Sequence, residues 1–126
     1  IQYFVFPNMF FFPGLQLPMV YRFIPDPESV DHSYFDLLMM RPRPTDKKAP
    51  PPPQVINIDI DESYSVAEGL GRLGRVYDED TSNMAAQTRG FRSSAKRGQT
   101  LGNYQEVRAR HLQERVRDYA GPWPAP

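Results

Sequence analysis

Cysteine is absent from all 126 residues. Disulfides, zinc knuckles, thiol nucleophiles and Cys-ligated clusters are therefore excluded within this stretch, and a reducing cytosol fits the omission. Neither sign of charge is in excess, since 15 basic and 15 acidic side chains cancel. A nucleic-acid binder would gather a basic surplus on one face, so that class is set aside. No apolar run approaches the roughly 18–20 residues that span a bilayer. The richest stretch, 1–20, is interrupted at Pro7, Pro13, Gly14 and Pro18. The chain opens at Ile1 with no initiator Met, no basic leader and no cleavage-site pattern. The expectation is a piece cut from inside a folded domain of a longer protein. What is present suffices for one core: hydrophobic residues make up 40% and aromatic residues 13%.

Strand signals come first. Residues 2–6 and 9–12 are aromatic runs parted by Pro7-Asn8. Leu17 to Ile24 predicts a strand with Met19, Tyr21 and Phe23 on one face and Arg22 on the other. A turn at Asp26-Pro27-Glu28-Ser29 precedes a further strand over Ser33–Arg41, which ends at Pro42. Short links favour an antiparallel meander. The proline-rich run 42–53 can hold neither ladder nor helix and reads as a stiff, polyproline-like surface connection, and the alternation over Val55–Ile60 predicts a short strand or extended segment beyond it.

Helical periodicity then takes over. Ser63–Leu73 predicts a short helix capped by Asp61 or Ser63 and stopped near Gly74, Val76–Ser93 a stronger one, and Tyr104–Tyr119 a last one ended by Gly121-Pro122. Gly98 and Gly102 punctuate the loop between the last two. Strands first and helices last give an α+β plan, with long helices on one face of an antiparallel sheet.

The helix over Val76–Ser93 carries the chemistry. At about 100° per residue, Val76, Asp80, Asn83, Met84, Gln87 and Phe91 share one stripe, opposite Asp78, Glu79, Ser82, Arg89 and Arg92. With that stripe turned to the core, a carboxylate in its middle must be paired with a buried Arg or Lys, protonated, or bound to a metal. Periodicity alone leaves these open.

The run from Tyr77 to Phe91 (Tyr-Asp-Glu-Asp-Thr-Ser-Asn-Met-Ala-Ala-Gln-Thr-Arg-Gly-Phe) resembles the last iron-ligand segment of the large (alpha) subunits of aromatic-ring-hydroxylating oxygenases, the Rieske-type non-haem iron enzymes. There an acidic pair precedes Gln and Gly at similar spacings, and many members carry Asn-Met three and four residues past the ligand, as Asn83-Met84 stand here. Phe6-Pro7-Asn8 is similar to a strand of the same domain. Gly98, Leu101, Tyr104, Gln105, Glu106 and a last helix containing His111 are similar to its end.

The resemblance implies that residues 1–126 are the C-terminal portion of a helix-grip (START/Bet v 1-like) catalytic domain. Asp80 would be the single carboxylate ligand of a mononuclear Fe(II) that two histidines complete, a triad leaving open positions for dioxygen beside an apolar or aromatic substrate. Electrons would come from NAD(P)H through a reductase or ferredoxin and a 2Fe–2S Rieske cluster in an N-terminal domain, usually within a trimer and in a bacterial-type cytoplasm. The family's His-x4-His pair is missing from these 126 residues, so the chain alone is expected to be inactive. Gln87 and Asn83 would hydrogen-bond around the iron ligand, against the alternative of buried structural amides. Gln2, Phe12, Leu70, Val76 and Met84 would line the substrate pocket, against plain core positions.

Other candidates read blandly. His32 predicts a solvated imidazole at a turn, and His111 a packing residue at the edge of an apolar arc. Arg89, Arg92, Lys96 and Arg97 suit a helix C-terminus, with docking of an acidic ferredoxin as the alternative. Glu106 and Arg110 predict an i,i+4 surface pair. Two further functions stay open: a non-enzymatic helix-grip module binding a hydrophobic ligand, and an oligomerisation piece with Asp80 in a buried ion pair.

Overall fold

The computed structural model describes residues 1–15, 18–46, 48–96 and 98–121. They fall into two compact units, one built from residues 1–49 and the segment from Thr100 onward, the other from Pro50–Gln99.

The first unit holds a four-stranded sheet, β1 (Tyr3–Val5), β2 (Met9–Phe12), β3 (Met19–Asp26) and β4 (Ser29–Met39). The strands pair antiparallel in chain order, as short links require. Asn8 fixes the first corner: its carbonyl accepts from the Phe23 amide at 3.0 Å and its side-chain amide donates to the Phe23 carbonyl at 2.7 Å. β3 shows the predicted faces. Tyr21 lies opposite Phe10 and Leu37, Phe23 opposite Phe35, and Arg22 turns the other way to meet Asp36. One face is thus an aromatic carpet, with ring centroids 4.5 Å apart for Phe12–Tyr21 and 5.0 Å for Phe23–Phe35. Met19 and Val20, where β3 is flanked on both sides, are the buried residues of this unit. Pro25 sits past the last β2 pairing, so its missing N–H breaks no ladder there.

β4 begins at Ser29, four residues before the predicted Ser33. The reason is the tightness of the turn: the Asp26 carboxylate accepts from the Glu28 amide at 2.9 Å, and pairing resumes at once with Asp26 opposite Ser29. Leu17, the predicted start of β3, lies outside the described residues.

In the same unit, α3 (Val107–Ala120) ends at Gly121, whose φ of 78° is left-handed. The predicted Glu106–Arg110 pair is replaced. Arg110 donates to the carbonyls of Leu101 at 3.3 Å and Gly102 at 3.4 Å, and the Glu106 carboxylate accepts from the Gly102 amide. Both side chains tie down the loop ahead of the helix instead of each other. No residue of α3 is buried; Tyr119 stacks on Phe6 at 4.8 Å. Pro122 lies outside the described residues.

The proline-rich segment 42–53, which begins in the first unit and ends in the second, is exposed and irregular in its described residues, as predicted; Lys47 lies outside them. Residues 55–59 form no regular element and Ile60 opens a turn, so no strand forms there. The predicted helix over Ser63–Leu73 is instead two single 3₁₀ turns, Tyr64–Val66 and Glu68–Leu70. Gly69 and Gly71 weaken a continuous helix there. Ser63 does act as a cap, accepting from the Ser65 amide at 3.0 Å.

The predicted helix over Val76–Ser93 is likewise two helices. α1 (Leu73–Thr81) runs through Gly74 instead of starting after it, and α2 (Met84–Ser93) follows a break. The break coincides with Thr81-Ser82-Asn83, three residues whose side chains compete for backbone groups. Thr81 Oγ1 donates to the Tyr77 carbonyl at 2.7 Å and Ser82 Oγ to the Glu79 carbonyl at 2.9 Å. Ala67, Leu70 and Tyr77 form the buried apolar set of this unit. Among the described residues no helix is long and apolar enough to cross a membrane. The α+β class is observed.

Candidate functional site: the acidic turn of α1

Gly74 and Tyr77 are the buried residues of α1, with Asp78 and Thr81 half-buried on the same side. Tyr77, 5% exposed, packs its ring 5.5 Å from that of Tyr64. Gly74 lets α1 come close to the first 3₁₀ turn, where an added Cβ would stand 3.0 Å from Ser65 backbone atoms. Burying an aromatic ring outweighs burying Val76, so the helix turns its Tyr77 side inward. The stripe of Val76 and Asp80, predicted to face the core, faces outward: Val76 is 47% exposed and Asp80 is exposed.

Three consecutive carboxylates follow, and their situations differ. Asp78 accepts from the Ser63 hydroxyl at 2.6 Å and the Tyr64 amide at 2.8 Å, which fixes its orientation. Glu79 is exposed. Asp80 is exposed and its carboxylate, among the described residues, makes neither a hydrogen bond nor an ion pair, so the buried Arg or Lys partner that periodicity left open is not among them. Asp80 also lies one residue before the end of α1. The partial negative charge of a helix C-terminus opposes an anion and favours a cation beside it. A carboxylate so placed and uncommitted within the described residues can serve as a metal donor.

Asn83 and Gln87 are both exposed and pair with each other: Gln87 Nε2 donates to Asn83 Oδ1 at 2.7 Å. Beyond them Met84 and Phe91 are 54% and 53% exposed, continuing an apolar, solvent-facing strip on α2. Leu70 is buried in the core of this unit. In the other unit, Gln2 is exposed ahead of β1, and Phe12 is half-buried on β2. A cavity of about 380 Å³ beyond α2 is lined by Phe91, Ser94, Lys96, Gly98 and Gln99, and one of about 270 Å³ lies along α3 at Gln113, Val116, Arg117 and Ala120. None of the predicted pocket residues lines either.

His32 is exposed within β4, not at a turn, and His111 is exposed on α3, not at a core edge. Arg89, Arg92 and Lys96 are exposed at and beyond the end of α2; Arg97 lies outside the described residues. Among the described residues no three His, Cys, Asp or Glu side chains group to hold a metal ion. They do not form an iron site among themselves, and Asp80 fits such a site as one donor of a larger set. Sequence reasoning missed the Asp78 clamp because one uninterrupted helix assigned Asp78 to the solvent side. The bulk of Tyr77 beside it was the available signal.

The family model described as ring hydroxylating alpha subunit (catalytic domain) matches residues 1–121. Neither a curated protein nor a solved structure matches the chain. A match over nearly the whole length, spanning both the aromatic strands and the acidic helix, decides the family: the chain belongs to the catalytic domain of ring-hydroxylating oxygenase alpha subunits.

Proposed function

We propose that these 126 residues are the C-terminal portion of that catalytic domain, folded in the full subunit as a helix-grip, and that Asp80 is the carboxylate ligand of its mononuclear Fe(II). Asp78 is engaged with Ser63 and Tyr64, which leaves Glu79 and Asp80 as the uncommitted carboxylates of the triplet among the described residues. Of these two the family resemblance, in which the second acid of the pair is the ligand, selects Asp80 at the cation-favouring end of α1. Two histidines outside these residues would complete the coordination. When bound, the iron supplies dioxygen activation for hydroxylating an aromatic or related apolar substrate. Electrons would reach it from NAD(P)H through a reductase or ferredoxin and a 2Fe–2S Rieske cluster elsewhere in the subunit, within a homotrimer in the cytoplasm.

The protein's own contributions are positional. Asp80 offsets one of the two metal charges, and the Asn83–Gln87 amides hold the first turn of α2 beside it. Val76 and Met84 each offer exposed apolar surface, as a substrate-facing wall requires, and Gln2, Phe12 and Leu70 stay assigned to the pocket on the family resemblance.

The test is Asp80→Ala in the full-length protein. Iron content and turnover should be lost while the visible spectrum of the Rieske cluster is kept. Iron near the wild-type level would overturn the assignment. Asp80→Asn discriminates less, because an amide oxygen can still coordinate.

A further inference from the structure

Asp78 and Asp80 stand two residues apart on α1, so at about 100° per residue their side chains leave the helix roughly 200° apart. Whatever fixes the rotation of α1 about its axis through Asp78 therefore also fixes the direction in which Asp80 points. Three contacts set that rotation. The Asp78 carboxylate takes hydrogen bonds from the Ser63 hydroxyl at 2.6 Å and the Tyr64 amide at 2.8 Å. Tyr77 buries its ring against Tyr64. The Cβ-less Gly74 closes on Ser65. Ser63 is the hinge of this arrangement, since its oxygen also accepts from the Ser65 amide and so holds the first 3₁₀ turn in the shape that presents Tyr64 N–H to Asp78.

We infer that Asp78, acting with Ser63, is a positioning residue that aims the Asp80 carboxylate: one acid of the triplet is used as a bolt so that another can be used as a ligand. The inference rests on the proposed role of Asp80. The bolt is charge-assisted, and a charged acceptor gives shorter and stronger hydrogen bonds than a neutral one. Partners that orient metal ligands change metal affinity by about 10–100-fold when removed.

The experiment titrates Fe(II) into the iron-depleted full-length protein and records the electron paramagnetic resonance line shape of its Fe(II)–nitric oxide complex. It compares wild type with Asp80→Ala, Asp78→Ala, Ser63→Ala and Ser63→Thr. The expected result is no specific Fe(II) binding for Asp80→Ala, and an affinity about tenfold weaker with a broadened line for Asp78→Ala and Ser63→Ala. Ser63→Thr keeps the hydroxyl and should restore both readouts. A merely structural role would lower the folded fraction without changing the affinity or line shape of what remains folded. Should Asp78→Ala not fold, the Ser63 pair decides. Wild-type affinity and line shape in the Asp78 and Ser63 variants, with iron lost in Asp80→Ala, would overturn the inference and leave the ligand assignment standing. Iron retained in Asp80→Ala would overturn both.

Discussion

Arg22 on β3 and Asp36 on β4 face each other in register, and the guanidinium reaches a single carboxylate oxygen with both Nε and a terminal nitrogen. The side chains stay 46% and 37% exposed, so water screens the pair. Asp36→Ala is expected to lower stability by about 0.2–1 kcal/mol, and the loss should shrink further in high salt. A denaturation midpoint at two salt concentrations measures it. A larger, salt-independent loss would mean that the pair is covered in the full-length protein.

Two glycines in helices should respond with opposite signs. Gly74→Ala puts a Cβ about 3.0 Å from Ser65 backbone atoms, which cannot swing aside as a side-chain end can. It should destabilise despite the helix propensity gained, about 1 kcal/mol. Gly90 lies inside α2 with nothing within 4 Å of a built Cβ, so Gly90→Ala should stabilise by about 0.5–1 kcal/mol. Thermal midpoints of the two variants in the full-length protein compare them directly.

Tyr77 is the bulkiest of the three buried apolar residues of its unit among those described. Tyr77→Ala removes the ring that locks α1 to Tyr64 and should cost about 3–5 kcal/mol, whereas Tyr77→Phe keeps the packing and should cost far less. Chemical denaturation separates the two. Equal losses would show that the hydroxyl, not the ring, holds the helix.

Iron should act as a stabilising ligand if Asp80 binds it. Chelating the metal from the full-length protein is expected to lower the thermal midpoint, because a ligand bound only by the folded state adds to its stability by mass action. The same treatment of Asp80→Ala should change nothing. A matching drop in both would place the metal elsewhere.

Much of the sheet was legible because strands announce themselves with a period of two: the faces of β3 followed from Met19, Tyr21 and Phe23 alternating with Arg22. The start of β4 was not, since only the Asp26 carboxylate bonding to the Glu28 amide lets pairing resume at Ser29. The helical half was harder to read. Periodicity joined Val76 to Phe91 as one helix with one inward stripe, yet the helix breaks at Thr81-Ser82-Asn83, where the Thr81 and Ser82 hydroxyls bond to backbone carbonyls. Within α1 the burial of Tyr77 decides which side lies inward, against the predicted stripe. Asp80 was singled out by its neighbours in sequence, while the Asp78 clamp depends on Ser63 and Tyr64, whose nearness no local pattern encodes.

β4 runs for eleven residues and, as the last strand in the sheet order, has no neighbour on its outer side among the described residues. At about 3.3 Å per residue that is a seam of some 35 Å with no strand paired against it among the described residues. Such a border is a template: any strand that reaches it can lengthen the sheet without disturbing the registers already set. Preparations of these residues by themselves should therefore self-associate with rising concentration, and a lysine placed mid-strand with its side chain on the water-facing side should suppress it.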